Sequence, residues 1–186
     1  MIHLKNNIMN KESPILIFDT NIFLIGIDFN VFEGVIYTTP SIVEEVKDQR
    51  YSEKNRNILN RISAAIETKK LKIKFPEDKY INKIKEVSKE TGDLNVLSDA
   101  DKELIALTLE LIEKSYKNVK LFSNDYSIEN VCSELNIPYS PFYKKGIKSK
   151  IDWEVYCINC GTIHQAEDMN KICERCGLKL RRRPKK

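Results

Sequence analysis

Histidine is nearly absent from this chain of 186 residues, which holds only His3 and His164. General acid–base work by imidazole is therefore not expected, and no Ser/His or Cys/His arrangement suggests a covalent nucleophile. Long apolar runs are missing too. The stretches at 15–18 and 22–27 are short and interrupted by Asp19, well under the ~18 residues a membrane helix needs. The opening MIHLKNNIMNKE has no apolar segment of the secretory kind, fits no structural element, and contains Met9 as an alternative start. Cysteines number five, so a fully paired intramolecular disulfide set is excluded. With no export signal, a reducing, cytoplasmic setting and no membrane association are the expectation. No internal repeat is visible.

What is present suits a soluble globular protein. Hydrophobic residues make up 41% and charged residues 31% of the chain. That composition supports a core, excludes disorder as the main state, and fits one domain plus a small appendage. The net charge of +4 is unevenly spread. From Lys144 to Lys186 there are twelve Lys and Arg against five Asp and Glu, which leaves the rest of the chain at minus three. A mildly acidic body with a basic C-terminal piece suggests an anionic partner recruited by that piece; a solvated lysine-rich surface is the plainer alternative.

The body reads as strands alternating with helices. Strands are expected at 15–18, 35–38, 71–75 and 119–123. Helices are expected from Pro40-Ser41 to Lys47, over 53–68 and 79–90, after Ser98, and after Asp125, with Gly92 as a stop and Pro138 and Pro141 closing the body. This order implies βαβ units and an α/β fold, a parallel sheet flanked by helices. The expected organisation is an N-terminal extension (1–13), a body (14–143), a polar linker (144–152), a metal-binding ribbon (153–180) and a basic tail (181–186).

Two groups of residues carry chemistry. Cys157-Ile-Asn-Cys160-Gly and Cys173-Glu-Arg-Cys176-Gly are two CxxC hooks separated by twelve residues, a spacing that offers four thiolates to a tetrahedral Zn²⁺. A glycine after each hook permits the tight turn that aims amides at sulfur. About 25 residues cannot bury enough apolar surface to fold alone, so the metal takes the place of a core. A closed four-cysteine site is structural rather than catalytic. His164 is a spare candidate ligand, and Cys132 lies on an apolar helix face.

The second group is acidic. Asp19 ends the first strand, Glu45 lies in Ser-Ile-Val-Glu-Glu-Val, Asp101 heads the helix after Ser98, and Asp125 follows the strand ending at Ser123. In a parallel sheet the strand C-termini and following helix N-termini share one edge, so these acids are expected to converge. Clustered carboxylates repel unless a cation is bound, and oxygen donors select Mg²⁺ or Mn²⁺, which can activate water and neutralise charge on a phosphodiester. Each acid also has a plainer reading. Asp19 and Asp125 can be helix caps, Asp101 completes a capping box with Ser98, and Glu45 can be solvated with Glu44 facing inward instead.

ILIFDTNIFL, SIVEEV, LSDADKELIALTLEL and LFSNDYSIENV resemble, in order and spacing, the acidic motifs of PIN-domain ribonucleases. With the C-terminal ribbon, the chain is similar to the archaeal PIN-domain endonucleases that mature the 3′ end of small-subunit ribosomal RNA. The resemblance covers about residues 14–180. It implies a central parallel sheet and Asp19, Glu45, Asp101 and Asp125 as holders of catalytic Mn²⁺ or Mg²⁺. It implies hydrolysis of single-stranded RNA to a 3′-hydroxyl and a 5′-phosphate. The implied partners are precursor 16S rRNA, a pre-small-subunit particle and assembly-factor proteins. Asn124 departs from the pattern where related proteins often have another acid; Asp93 or Asp99 could make up the difference. Arg181, Arg182, Arg183, Lys185 and Lys186, with Trp153, Tyr156 and Tyr143, offer cations for phosphates and rings for unpaired bases. Two other readings stand beside the nuclease: a non-catalytic RNA-binding assembly factor, and a toxin-type nuclease that attacks tRNA or mRNA.

Overall fold

A computed structural model of the chain describes residues 13–47, 52–114, 118–142 and 151–185. The N-terminal extension apart from Ser13, the start at Met9, Tyr143, most of the expected linker and Lys186 lie outside the described residues. Among the described residues no helix is long and apolar enough to cross a membrane.

The body is built on a five-stranded parallel sheet in the order β3-β2-β1-β4-β5. Its strands are β1 (Ile15–Phe18), β2 (Val35–Thr38), β3 (Leu71–Ile73), β4 (Val119–Phe122) and β5 (Tyr139–Ser140). The last is a two-residue edge strand between prolines that the sequence pattern does not reveal. β1 is buried at all four positions, as a central parallel strand covered on both faces must be. Its Phe18 side chain packs edge-on against Phe32 and Phe122, with ring centroids 5.1 and 5.6 Å away.

Among the described residues six α-helices connect and cover the sheet: α1 (Thr20–Leu24), α2 (Pro40–Lys47), α3 (Ser52–Glu67), α4 (Asp78–Thr91), α5 (Asp99–Glu113) and α6 (Tyr126–Glu134). The hydrophobic stripe of α5 is buried from Leu104 to Leu111, which makes it the central helix of the body. Glu110, the charged residue within that stripe, is tolerated because Lys74, Lys114 and the Glu77 N–H all reach its carboxylate. The chain leaves β1 toward β2 and β3 on one side, then returns to β4 and β5 on the other. The connections after β1 and β4 therefore diverge, and a crevice opens at the C-terminal ends of these two neighbours.

The ribbon is a three-stranded antiparallel sheet in the order β7-β6-β8, with β6 at Trp153–Tyr156, β7 at Ile163–His164 and β8 at Arg181–Pro184. The expected basic tail is corrected here. Arg181–Pro184 is a strand paired along the whole of β6, and the ribbon runs through it rather than ending at 180. Arginine is tolerated because this strand is short, lies at a sheet edge, and stacks its guanidinium groups on the rings of β6.

Candidate active site and metal centre

Asp19 leaves the end of β1 and caps α1, its Oδ1 accepting from the Thr20 N–H at 2.6 Å. Its Oδ2 accepts from the Ser123 hydroxyl at 2.8 Å and from Asn21 Nδ2 at 3.2 Å. Ser123 stands at the end of β4, and its Oγ also accepts the Asp125 N–H at 3.0 Å. Asp125 caps α6 through the Ser127 N–H at 2.6 Å. Ser123 thus ties the acid after β1 to the acid after β4 across the crevice.

Asp101 sits in the first turn of α5 and forms a reciprocal capping box with Ser98; the Ser98 N–H reaches Asp101 Oδ2 at 2.8 Å. Glu45, on α2, accepts the Thr20 hydroxyl at 2.5 Å. Its neighbour Glu44 turns instead to Lys47 at the exposed surface. Both glutamates are exposed and differ in partner, Glu45 reaching the Thr20 beside Asp19 and Glu44 a lysine of its own helix.

Electrostatics link the four acids. Burial pushes the Asp19 carboxyl up to about 6; the hydrogen bonds from Ser123, Asn21 and Thr20 oppose the shift, and the charge of Asp101 adds to it. Asp101 is also raised, first by burial, against its Ser98 bonds, and then by the charges of Asp125 and Glu45. Three of the four acids, Asp19, Asp101 and Asp125, are thus also capping residues, while Glu45 lies within α2. Capping fixes one oxygen of Asp19, Asp101 and Asp125 to a backbone N–H, the Thr20 hydroxyl holds Glu45, and the fixed carboxylates repel one another around the crevice. An all-oxygen donor set in which Asp101 raises Asp19, and Asp125 and Glu45 raise Asp101, suits a hard divalent cation. Among the described residues, however, only the cysteines bring three or more ligand groups within 4.8 Å of one another, so the acids form a wider rim.

The other acids considered for the site have different partners. Asp93 is fully buried and paired with Arg182. Asp99 is exposed and paired with Lys102. Asn124, the departure from the acidic pattern, accepts the Phe142 N–H at 2.9 Å and thereby fastens the chain after β5. Ser123 and Thr20 are site residues that reading for carboxylates missed. The signal available was their position, immediately after β4 and immediately after Asp19.

The ribbon gathers Cys157, Cys160, Cys173 and Cys176, with all four sulfurs within 4.8 Å of one another. Cys160 and Cys173 sulfurs stand 3.8 Å apart, close to the edge of a tetrahedron of about 3.8 Å that Zn–S bonds of about 2.3 Å define. Gly161 and Gly177 take φ of 70° and 68° after each hook and return their N–H groups to the Cys157 and Cys173 carbonyls. Bonding to Thr162 lowers the Cys160 thiol to about 6. His164 sits on β7 outside the set. Cys132 is buried in the body, where burial raises its thiol pKa, so it is a packing residue.

The residues expected at RNA are placed unevenly. Arg182 stacks on Trp153 and turns toward the body, while Arg183 stacks on Tyr156 and pairs with Glu154 at 2.7 Å. Arg181 and Lys185 remain exposed. The sequence counted all of these as equivalent cations, whereas ring stacking and ion pairing engage two of the arginines internally.

Residues 16–111 match the family described as the PIN domain of ribonuclease. Over 171 residues the chain is 33% identical to "Endoribonuclease Nob1" of Pyrococcus abyssi, covering 92% of this chain and 94% of that protein. It is 27% identical to "Ribonuclease VapC1" of Thermoplasma acidophilum over 90% of this chain and 77% of that protein. A 92-residue stretch, half of this chain and 17% of the relative, is 34% identical to "20S-pre-rRNA D-site endonuclease NOB1" of Saccharomyces cerevisiae.

Proposed function

Since the chain belongs to the PIN-domain ribonucleases, and within them to the Nob1 endoribonucleases, we propose that it is a divalent-metal-dependent endoribonuclease. Its proposed substrate is precursor 16S rRNA within a pre-small-subunit particle, cut in single-stranded RNA at the 3′ end during cytoplasmic maturation, with assembly-factor proteins as further partners. The observation that carries the reading is the Ser123 bridge between Asp19 and Asp125, which holds acids from separate strands at one crevice and within the field of Asp101.

Asp19, Glu45, Asp101 and Asp125 are the residues proposed to hold Mn²⁺ or Mg²⁺. A hard cation there would activate water and offset charge developing on the phosphodiester. Asp19 sits deepest and must be ionised to act, so its raised pKa makes the site compete with protons below about pH 6. Thr20 orients Glu45, and Ser123 orients Asp19, each through a hydroxyl that donates to the carboxylate. Tyr126 follows Asp125 directly and is 50% exposed, so its ring offers a face on which an unpaired base can stack beside the acids. The four cysteines are proposed to hold a structural Zn²⁺.

Incubating the protein with Mn²⁺ and RNA spanning the 3′ end of 16S rRNA should give products with a 3′-hydroxyl and a 5′-phosphate, at higher kcat/KM than on unrelated RNA. Preference for tRNA or mRNA would favour a toxin-type ribonuclease instead. Binding without cleavage in Mn²⁺ or Mg²⁺ would favour an assembly factor.

Exposed cations should act through phosphate. Replacing Arg181 and Lys185 together by Ala should shallow the slope of log affinity against log salt, measured on a single-stranded oligonucleotide, by about 0.7 for each phosphate that is no longer neutralised. An unchanged slope would remove these two residues from the RNA path.

A further inference from the structure

Arg182 leaves the ribbon and enters the nuclease body. Its guanidinium lies 4.2 Å over the Trp153 ring, Nη1 is 2.7 Å from Asp93 Oδ1, and Nη2 donates to the Ser127 hydroxyl at 3.2 Å. The other Asp93 oxygen accepts from Asn130 Nδ2 at 2.7 Å. Asn130 in turn clasps the backbone of Ile151 in both directions, at 2.7 and 2.6 Å. Asp93, Ser127 and Asn130 are all buried. A carboxylate this deep is stable only with its charge paired and its oxygens engaged, so Arg182 is not interchangeable with a surface cation.

The next bonds outward lead to the acids. Ser127, which takes the guanidinium on its hydroxyl, gives its backbone N–H to Asp125 Oδ1. Asp93, which takes it on its carboxylate, accepts the Leu97 N–H at 3.0 Å on its carbonyl. Leu97 precedes Ser98, whose N–H holds Asp101. The segment between α4 and α5 is also pressed against the ribbon. Gly92 has φ of 79°, and a Cβ there would lie 2.9 Å from the Trp153 Cβ.

We propose that Arg182 is a positioning residue for the acidic site. Through it the docked ribbon sets where the caps of α5 and α6 stand, and hence how tightly Asp101 and Asp125 hold a divalent ion when no RNA is present. The proposal rests on these acids being the ion holders.

The test uses the full-length, zinc-loaded chain and Mn²⁺ alone as the probe, with folding stability measured alongside. Arg182→Met leaves Asp93 buried and unpaired and should lower stability. The double variant Arg182→Met/Asp93→Asn removes both charges and should recover much of it. Both variants are expected to keep one equivalent of zinc yet bind Mn²⁺ about tenfold or more weakly, the usual effect of removing a residue behind the metal ligands, and to lose kcat. Affinity unchanged in both variants, or restored together with stability in the double variant, would overturn the proposal. Wild-type protein that binds Mn²⁺ but does not cut RNA would remove the nuclease reading while leaving the Mn²⁺ affinities decisive for Arg182. Wild-type protein that binds no Mn²⁺ would overturn both.

Discussion

Asp19→Asn is expected to reduce RNA cleavage by about a thousandfold or more, and at neutral pH, with chelator present, to make the folded protein more stable. The first effect follows from removing the deepest negative charge of the proposed ion site; a loss of about 4 kcal/mol of transition-state stabilisation corresponds to that factor. The second follows from the raised pKa of Asp19. Its carboxyl titrates near 6 in the folded protein against 3.8 as its ordinary value. The folded state therefore holds this proton more tightly than the unfolded state does. Stability from the protonated form is fully present below about pH 3.8 and is lost as pH rises through about 6. Two pH units correspond to at most about 3 kcal/mol, and Asn keeps an oxygen for the Thr20 N–H, so a gain of about 1–3 kcal/mol is expected at pH 7. The gain should fade below pH 4. Urea unfolding at pH 4 and pH 7, beside cleavage assays in Mn²⁺, measures both effects. A mutant that cleaves like the wild type would remove Asp19 from the chemistry, and a mutant less stable at pH 7 would show that its hydrogen bonds outweigh its charge.

Cys173→Ser is expected to unfold the ribbon while leaving the body folded. The ribbon's own buried cluster consists of Val155, Cys157, Cys173 and Leu180, too small to repay the ordering of some thirty residues. Zinc binding in small ribbons contributes about 10–16 kcal/mol, which is then nearly all of this segment's folding energy. Zinc content should fall from one equivalent to well under that, and backbone amide signals from 151–185 should lose their dispersion. Signals from the body should stay dispersed, with lower thermal stability because Asp93 loses its partner. A zinc-free ribbon with well-dispersed signals would show that the packing of Trp153 and Leu180 suffices.

Much of this was legible because local rules and tertiary demands agree. Apolar runs gave the first four strands, and Pro40, Ser98, Gly92 and Asp125 marked helix ends at which the structure starts or stops the same elements. The cysteine spacing specified its cluster without any fold. The acids were harder, since three of them are also ordinary caps and Glu45 reads as a solvated helix residue, and only the strand order brings them to one crevice. What the sequence hid depends on partners far along the chain. Arg182 finds Asp93 across 89 positions, and nothing in Arg-Arg-Arg says which side chain turns inward. β5 is two residues long, too short to show a period. Arg181–Pro184 pairs as a strand although its composition reads as solvent-exposed tail.

The side-by-side placement of β1 and β4 has a consequence for the protein's birth. Asp19 meets Ser123 across 104 positions, so a ribosome must deliver most of the chain before the two can touch. Contacts so distant along a polymer form late and slowly. A fragment that ends before the fourth strand therefore lacks Ser123 and Asp125, the bridge and one of the four acids proposed to hold an ion, so cleavage that needs all four would begin only once synthesis has passed that strand.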